Sequence, residues 1–477
     1  MRFRRTTLIT ALCLGVLLGI GLSRKVSLIP GIYALLLIPV IPALLRKNIF
    51  AMLLVLAIGL TLGLWRGSVY MQNVRELQRL AGREVTIDAT ASTDSFYGKR
   101  SQVQFTAGNI NLIYPYKTSL AGSFKLSGFG EKMIYRGDRV RITGRLFPSR
   151  GGSQATIAYS KMERIKPGSN IIYDTTRNFN AGMQNALPEP QASFGLGLLI
   201  GQRNTLPADI TVALTAVGLV HIVAVSGYNL TIIIRGVGRL KLGSRYQKLL
   251  LSLALIASFV LMTGFSASIV RAAIVSVLSL WAWYYGRRLR PIVLIGVTAA
   301  LTGLWNPYYV WSDIGWYLSF LAFFGVLVIA PVIAARLFNR PPGLLTMVVI
   351  ESLSAEIMTL PLILMTFSQL SLIALAANML IVPLVPLAML LSAAAAAAGA
   401  VIPQFAGWIA FPARILLTYM LDVVHVLAGL PSVFIRRGIS LPYMLLLYGF
   451  VVVALTAAYR KLSKDKKSRA AGLQITP

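Results

Sequence analysis

Thr6-Thr-Leu-Ile-Thr-Ala-Leu-Cys-Leu-Gly-Val-Leu-Leu-Gly-Ile-Gly-Leu22 carries no charge, and it follows a start, Met1-Arg-Phe-Arg-Arg5, that carries three arginines. A basic start before an apolar run reads either as a signal peptide or as a first membrane helix. No clean small-residue cleavage site follows, and two more apolar runs, residues 28–45 and 49–65, come at once. Each of the three is long enough for about 30 Å of hydrocarbon, so the first is read as a membrane helix.

The whole composition agrees. Hydrophobic residues make up 56% of the 477 positions and charged residues 13%, whereas soluble domains carry about 25% charge. That much apolar surface needs a bilayer. The remaining charge is lopsided, with 46 Lys and Arg against 15 Asp and Glu and a formal balance of +31. Basic cytoplasmic loops account for part of it, and polyanion binding is the natural candidate for the rest. The single Cys13 allows no intrachain disulfide and no thiolate cluster. His221 and His425 are the only imidazoles, too few for a His-rich hydrolytic zinc site, so no metal, no cofactor and no two-metal nuclease are expected.

Residues 82–167 change character, alternating polar and apolar side chains between Gly, Asn and Ser. In Tyr135-Arg-Gly-Asp-Arg-Val-Arg-Ile-Thr-Gly-Arg-Leu146 a Gly-Asp turn feeds a strand. Val140, Ile142 and Leu146 would face a core there, and Arg139, Arg141 and Arg145 would face out. Further strands are expected at residues 84–92, 101–107, 123–127 and 155–165, a count that fits a five-stranded barrel of OB type.

An amphipathic stretch, residues 171–187, ends at Pro188, and apolar sequence resumes near Phe194. The expected spans are a broken region at 194–235, then 249–265, 267–285, 291–305, 314–337, 344–367, 372–398, 405–427 and 441–459. The fold class is therefore a polytopic α-helical membrane protein of about 11–12 spans, some discontinuous, with an extracytoplasmic OB-like β-barrel domain. Its expected parts are residues 1–66, 67–170, 171–192, 193–460 and a basic tail, 461–477. With both termini cytoplasmic, the basic segments 239–248, 286–290, 336–340 and 461–467 fall inside, as the charge bias requires. Arg24-Lys25 and Arg436-Arg437 fall outside, against it.

Gly218-Leu-Val-His-Ile-Val-Ala-Val-Ser-Gly-Tyr-Asn-Leu-Thr231 puts polar groups into an apolar run. Irregular backbone at membrane depth is tolerated only where protein or a wet cavity satisfies it. His221, Ser226 and Asn229, with Arg235 just beyond, are thus candidates to line a polar path, with Gly227 allowing a break. The alternative is that they bond to neighbouring helices. A Ser226–His221 nucleophilic pair lacks an acid to orient it, and its spacing of five points the two apart.

Arg271 is the only charge between Lys248 and Arg287, a run fit for a hairpin turning near Gly264. An intramembrane charge is a functional candidate, and pairing with Asp313, Glu351 or Glu356 is the structural alternative. Asp313 and Glu356 each place an acid at or within a span. Asn378 places an amide beside Pro383 and Pro386, and interrupted helices of this kind mark many transport sites.

In the strand-rich region Lys99, Arg100, Lys117, Lys125, Lys132, Arg136, Arg139, Arg141 and Arg145 interleave with Phe96, Tyr97, Tyr114, Tyr116, Phe124 and Phe129. Phosphates need cations and unstacked bases need flat rings, so the mixture suits a single strand. A solvated basic surface over core aromatics is the plainer alternative.

Five pieces occur in order: Gly197-Leu-Leu-Ile-Gly-Gln-Arg203, Leu219-Val-His-Ile-Val-Ala-Val-Ser-Gly227, Ser268-Ile-Val-Arg-Ala272, Gly315-Trp-Tyr-Leu-Ser-Phe-Leu-Ala322, and Thr359-Leu-Pro361 through Asn378 to Pro383. In them the chain resembles the ComEC-type competence protein family. The resemblance implies an N-terminal membrane segment, an extracytoplasmic OB-like domain and a polytopic competence domain, in a protein of DNA internalisation. Two departures stand out. Tyr228 and Asn229 replace the Leu-His that commonly follows the Ser-Gly pair. The form expected also lacks the C-terminal metallo-β-lactamase-like domain of many members, so degradation of the other strand would be supplied separately.

The expected function is a channel, not an enzyme, that passes single-stranded DNA through the bacterial cytoplasmic membrane during natural transformation. The expected partners are single-stranded DNA, membrane lipids, a cytoplasmic DNA motor or helicase, a DNA receptor and a separate nuclease. A motor is needed because no GxxxxGK[ST] loop occurs. Two rivals from other classes remain at this stage: a secondary transporter of a small anionic solute, and a membrane-embedded enzyme acting on lipid-linked substrate with His221 as acid or base.

Overall fold

Glycines decide how the chain begins. In the computed structural model, helices Arg5–Leu22 and Ile49–Arg79 approach along Gly15 and Gly19 on one side and Gly59 and Gly63 on the other. A Cβ at any of these four would overlap facing backbone, at Leu56, Leu60, Leu12 and Val16 respectively. Small residues spaced by four let backbones touch where lipid supplies no hydrophobic drive between helices. The structure describes residues 4–26, 48–97, 102–149, 153–168, 170–202, 205–223, 227, 230, 234, 236–238, 244–287, 290–338, 340, 342–368, 370–430, 434–435 and 438–472. The expected span at 28–45 lies outside them.

The second helix continues past the expected end at Trp65 to Arg79. Its polar tail still has a buried stripe: Tyr70 is 5% exposed, and Leu77 joins the core of the strand domain. The Tyr70 hydroxyl accepts from Gln154 Nε2 at 3.1 Å.

Among the described residues seven strands follow: β1 Glu84–Ala91, β2 Phe96–Tyr97, β3 Gln102–Tyr114, β4 Thr118–Leu120, β5 Phe124–Phe129, β6 Arg139–Pro148 and β7 Ala155–Lys166. β1 pairs antiparallel with β3 and β6, β6 with β7, and β3 with β5, while β5 and β7 run parallel. Five strands therefore return on themselves, in an order with one parallel pair that is compatible with an OB-like domain. β2 and β4 add short edges to β3. The alternation read in β6 holds, with Val140, Ile142 and Leu146 fully buried and the three arginines exposed. Phe105, Phe124, Leu126 and Ile87 fill the same core, each contributing about 1.5–3 kcal/mol by leaving water.

The amphipathic helix Ile171–Ala186 starts against this domain. Arg177 stacks over the Tyr135 ring at 5.2 Å, and the Tyr173 ring occupies the space a Cβ would need at Gly137, whose φ is +91°. The Asp138 carboxylate, 1% exposed, accepts from Gly168 N at 2.8 Å and Tyr135 N at 3.0 Å and pairs with Arg164 at 3.6 Å.

Met1–Gly182 and Ser226–Tyr317 make one compact unit; Met183–Val225 and Leu318–Pro477 make another. The first unit also holds helices Arg245–Met262, Ala267–Tyr284, Pro291–Trp305 and Tyr308–Ser312. A capping box of Ser244 and Gln247 starts Arg245–Met262. Arg66 caps the carbonyls of Leu304 (2.7 Å) and Trp305 (3.1 Å), and Trp311 Nε1 donates to Ile20 O at 2.7 Å.

The interrupted elements lie mainly in the second unit. Among the described residues the broken region includes the helices Gln191–Ile200, Ala208–Ala216 and Val220–Val223. Ile314–Phe324 continues through a π turn, Gly325–Ile329, into Ala330–Leu337. The turn is pressed onto Ser354, whose carbonyl sits where a Gly325 side chain would be. Leu344–Phe367 keeps Pro361 inside it. Ala374–Ile381 changes to a 3-10 turn at Val382–Leu384 before Val385–Val401, because Pro383 has no N–H to continue the ladder. Ala406–Ala428 and Leu441–Gly472 complete the helices, and Leu370–Ser371 pairs with Phe434–Ile435. The last helix continues beyond residue 461, where a separate tail was expected. Among the described residues nine helices are long and apolar enough to cross a membrane, and Gln191–Ile200 and Pro291–Trp305 are shorter apolar ones. Side chains such as Trp408 and Phe450 remain exposed, as lipid-facing groups would.

Candidate functional site

The hairpin expected near Gly264 forms because two residues enter the left-handed region, Gly264 at φ +72° and Phe265 at +57°. It ends Arg245–Met262 and starts Ala267–Tyr284, so Arg271 sits in the second turn of the returning helix. Arg271 is 3% exposed. Its Nη2 donates to Gly315 O at 3.2 Å, and Nε and Nη1 have no partner among the described residues. Asp313 lies near enough to act on it electrostatically. The Asp313 carboxylate, however, takes the Gly315 amide at 2.9 Å, as an N-cap does. The structure thus gathers Arg271 and Asp313 around one helix start, with a guanidinium that is buried and two-thirds uncommitted. Such a group binds an anion or water where it is reachable.

In the second unit Asn378, 6% exposed, hydrogen-bonds to Glu356 across helices Ala374–Ile381 and Leu344–Phe367. Glu356 Oε2 and Asn378 Oδ1 are both buried and have no donor among the described residues. His221 is exposed, its Nδ1 3.0 Å from Gly218 O. Gly218, at φ +75°, lies flat against Ala374 at the head of the Asn378 helix, and a Cβ there would come within 2.8 Å of the alanine. Ser226, Asn229 and Arg235 lie outside the described residues. Sequence reading missed two further polar groups. Ser392 is fully buried, with no partner for its hydroxyl among the described residues. Gln191 donates to Thr418 Oγ1 at 2.9 Å, and its Oε1 has no partner among the described residues. A lone serine in an alanine run gives no signal by itself, and Gln191 reads as an ordinary helix start.

On the strand domain Lys117, Lys125, Lys132, Arg139, Arg141 and Arg145 are exposed, and Phe96 is half-buried. Lys99 and Arg100 lie outside the described residues, as does the side chain of Tyr97. The arginines divide by what they hold. Arg141 grips Asp88 through two bonds, 2.9 and 3.2 Å, with Arg139 at 4.0 Å, and that hydrogen bond and charge raise the Arg141 pKa. Arg136 is half-buried and donates to the carbonyls of Leu261 (3.0 Å) and Met262 (3.2 Å), capping the hairpin's first helix. Its guanidinium lies 5.3 Å over the Tyr173 ring, and burial lowers its pKa.

These features define a polytopic membrane protein with a basic strand domain and uncommitted polar groups on its membrane helices. The competence protein family model matches residues 198–462, more than half of the chain, and the chain belongs to that family. The match takes in Arg271, Asp313, Glu356 and Asn378 and leaves the strand domain outside. ComE operon protein 3 of Bacillus subtilis (strain 168) is 29% identical over 200 residues, which are 41% of this chain and 25% of that protein. The chain thus matches a quarter of the length of that relative. No solved structure matches.

Proposed function

We propose that the chain conducts single-stranded DNA across the bacterial cytoplasmic membrane during natural transformation. The observation that carries this reading is Arg271, a guanidinium buried in a membrane helix with Nε and Nη1 unpartnered among the described residues. A phosphodiester is the anion that membership of a competence family suggests for it. Fixed N–H groups in a low-dielectric setting hold phosphate better than groups that water must first release. In the second unit His221, Glu356 and Asn378 supply polar surface for a chain that cannot lie against lipid, and Ser226, Asn229 and Arg235 are assigned the same role.

The strand domain faces outward and collects the incoming strand with Lys117, Lys125, Lys132 and Arg145, and with Lys99 and Arg100; both termini are cytoplasmic. Direction comes from a cytoplasmic motor, and a receptor and a nuclease act as separate proteins. The test is entry of labelled DNA into the cytoplasm of a deletion strain complemented with wild type or Arg271→Ala at matched membrane levels. Loss of entry is expected for the variant. Full entry would refute the assignment.

A further inference from the structure

We propose that Phe129 and Tyr159 form a stacking step for an unpaired base on the strand domain. The inference rests on the reading of the chain as a DNA conduit and names where that domain touches bases instead of phosphates. β5 and β7 run in parallel register from Phe124 opposite Ala155 to Leu126 opposite Ile157. Beyond that β7 is bulged against β6: Thr143 faces Lys161 and Arg145 faces Ala158, so Tyr159 and Ser160 together oppose Gly144.

The bulge turns its two side chains opposite ways. Ser160 goes inward, its hydroxyl donating to Ser127 O at 3.0 Å and its carbonyl filling the place a Cβ would take at Gly128. Tyr159 goes outward, with φ at +54° and 78% of its surface exposed. A bulky L residue rarely adopts that backbone, and residues held so tend to cluster at functional sites. The core does not need this ring, since Phe105 and Phe124 already fill it.

Tyr159 has an aromatic ring beside it. The Phe129 ring, 47% exposed, lies 5.9 Å from it at a 31° tilt. A base between the rings would need two stacking distances of about 3.4 Å each, so the base is placed on the outer face of Tyr159, with Phe129 as backing. The surroundings favour nucleic acid over a lipid surface. Lys125 precedes Phe129 by four on the same face, Lys161 follows Tyr159 by two, both are exposed, and Gln102 is the cross-strand partner of Phe129. Flat rings set among cations and an amide match a polyanion with flat, polar-edged bases.

The full chain in detergent is titrated with a fluorescent oligothymidylate and with an abasic oligomer of equal length. Tyr159→Ala is expected to weaken oligothymidylate binding by about tenfold and leave the abasic oligomer unchanged, with Tyr159→Phe restoring the difference. Equal binding of both oligomers by wild type, or equal losses on Tyr159→Ala, overturns the stacking step and leaves the DNA reading standing. Loss of binding to anionic phosphatidylglycerol vesicles, with oligothymidylate unaffected, also overturns it in favour of a lipid contact. Absence of salt-dependent binding to either oligomer overturns the DNA reading along with it.

Discussion

Gly19 and Gly63 face each other so closely that a Cβ on either would overlap the other helix, at Leu60 O and Val16 O respectively. Gly15 and Gly59 repeat the relation four residues earlier. The close approach gains dispersion and Cα–H···O contacts that larger residues would forbid. Gly63→Leu is therefore expected to cost about 1–3 kcal/mol through overpacking. Gly21→Leu, at a position with open space around it, should be near neutral. Thermal unfolding in detergent, followed by size-exclusion of the survivors, compares the two; equal losses would remove the glycine seam as a cause.

Arg136 gives a second contrast, because its guanidinium is committed to the carbonyls of Leu261 and Met262. Removing it should loosen the join between the strand domain and the hairpin rather than DNA binding. Arg136→Ala is expected to cost about 1.5–3 kcal/mol, as for hydrogen bonds to a charged group. Proteolysis at the Gly264 turn should quicken, while affinity for single strands stays within about twofold. Lys125→Ala should do the reverse, leaving proteolysis alone and lowering the salt slope of binding by about 0.7. A large affinity loss on Arg136→Ala would return that residue to the DNA surface.

The contrast also shows what the sequence could reveal. The β6 alternation, the turn at Gly264 and the break at Pro383 were legible because each is set by local periodicity or by one backbone conformation. The role of Arg136 was not, since its carbonyl partners lie on a helix far along the chain and nothing nearby announces them. The tail of the second helix was missed because hydropathy falls after Trp65, although its helical stripe of Tyr70 and Leu77 continues. Its Gly-x-x-x-Gly spacings were present in the letters. Only a partner with matching spacing turns them into a contact. For the polar site the residue types are readable and the pairings are not: the sequence offers three acids for Arg271, and its direct bond is to the Gly315 backbone.

Glu356 and Asn378 are a pair whose value can be separated from their individual chemistry. Glu356→Ala leaves the Asn378 amide buried with nothing to bond, a loss of about 1–3 kcal/mol. Asn378→Ala does the same to Glu356. Because each single change removes the shared bond, the double variant should be less destabilised than the sum, by about 0.5–3 kcal/mol of coupling. Glu356→Gln, which keeps an acceptor for the Asn378 amide and adds a donor for its unmet Oδ1, should be milder than either alanine. Denaturation of the four proteins in one detergent measures the cycle, and strict additivity would show that the two groups do not support each other.

Arg271→Lys distinguishes charge from shape. The guanidinium holds Gly315 O with one nitrogen and presents two more at fixed angles, whereas an ammonium is one rotatable point that cannot do both. Lysine retains the charge and much of the length, so the variant is expected to fold and reach the membrane in normal amount. Its transformation frequency should nevertheless fall by about tenfold, and that of Arg271→Ala by about a hundredfold, in line with loss of fixed donors from a buried anion site. Both are read as transformants per recipient in a deletion background with membrane protein quantified by blot. A lysine variant at wild-type frequency would mean that positive charge alone suffices there, and the planar fork would then have no part in passing the strand.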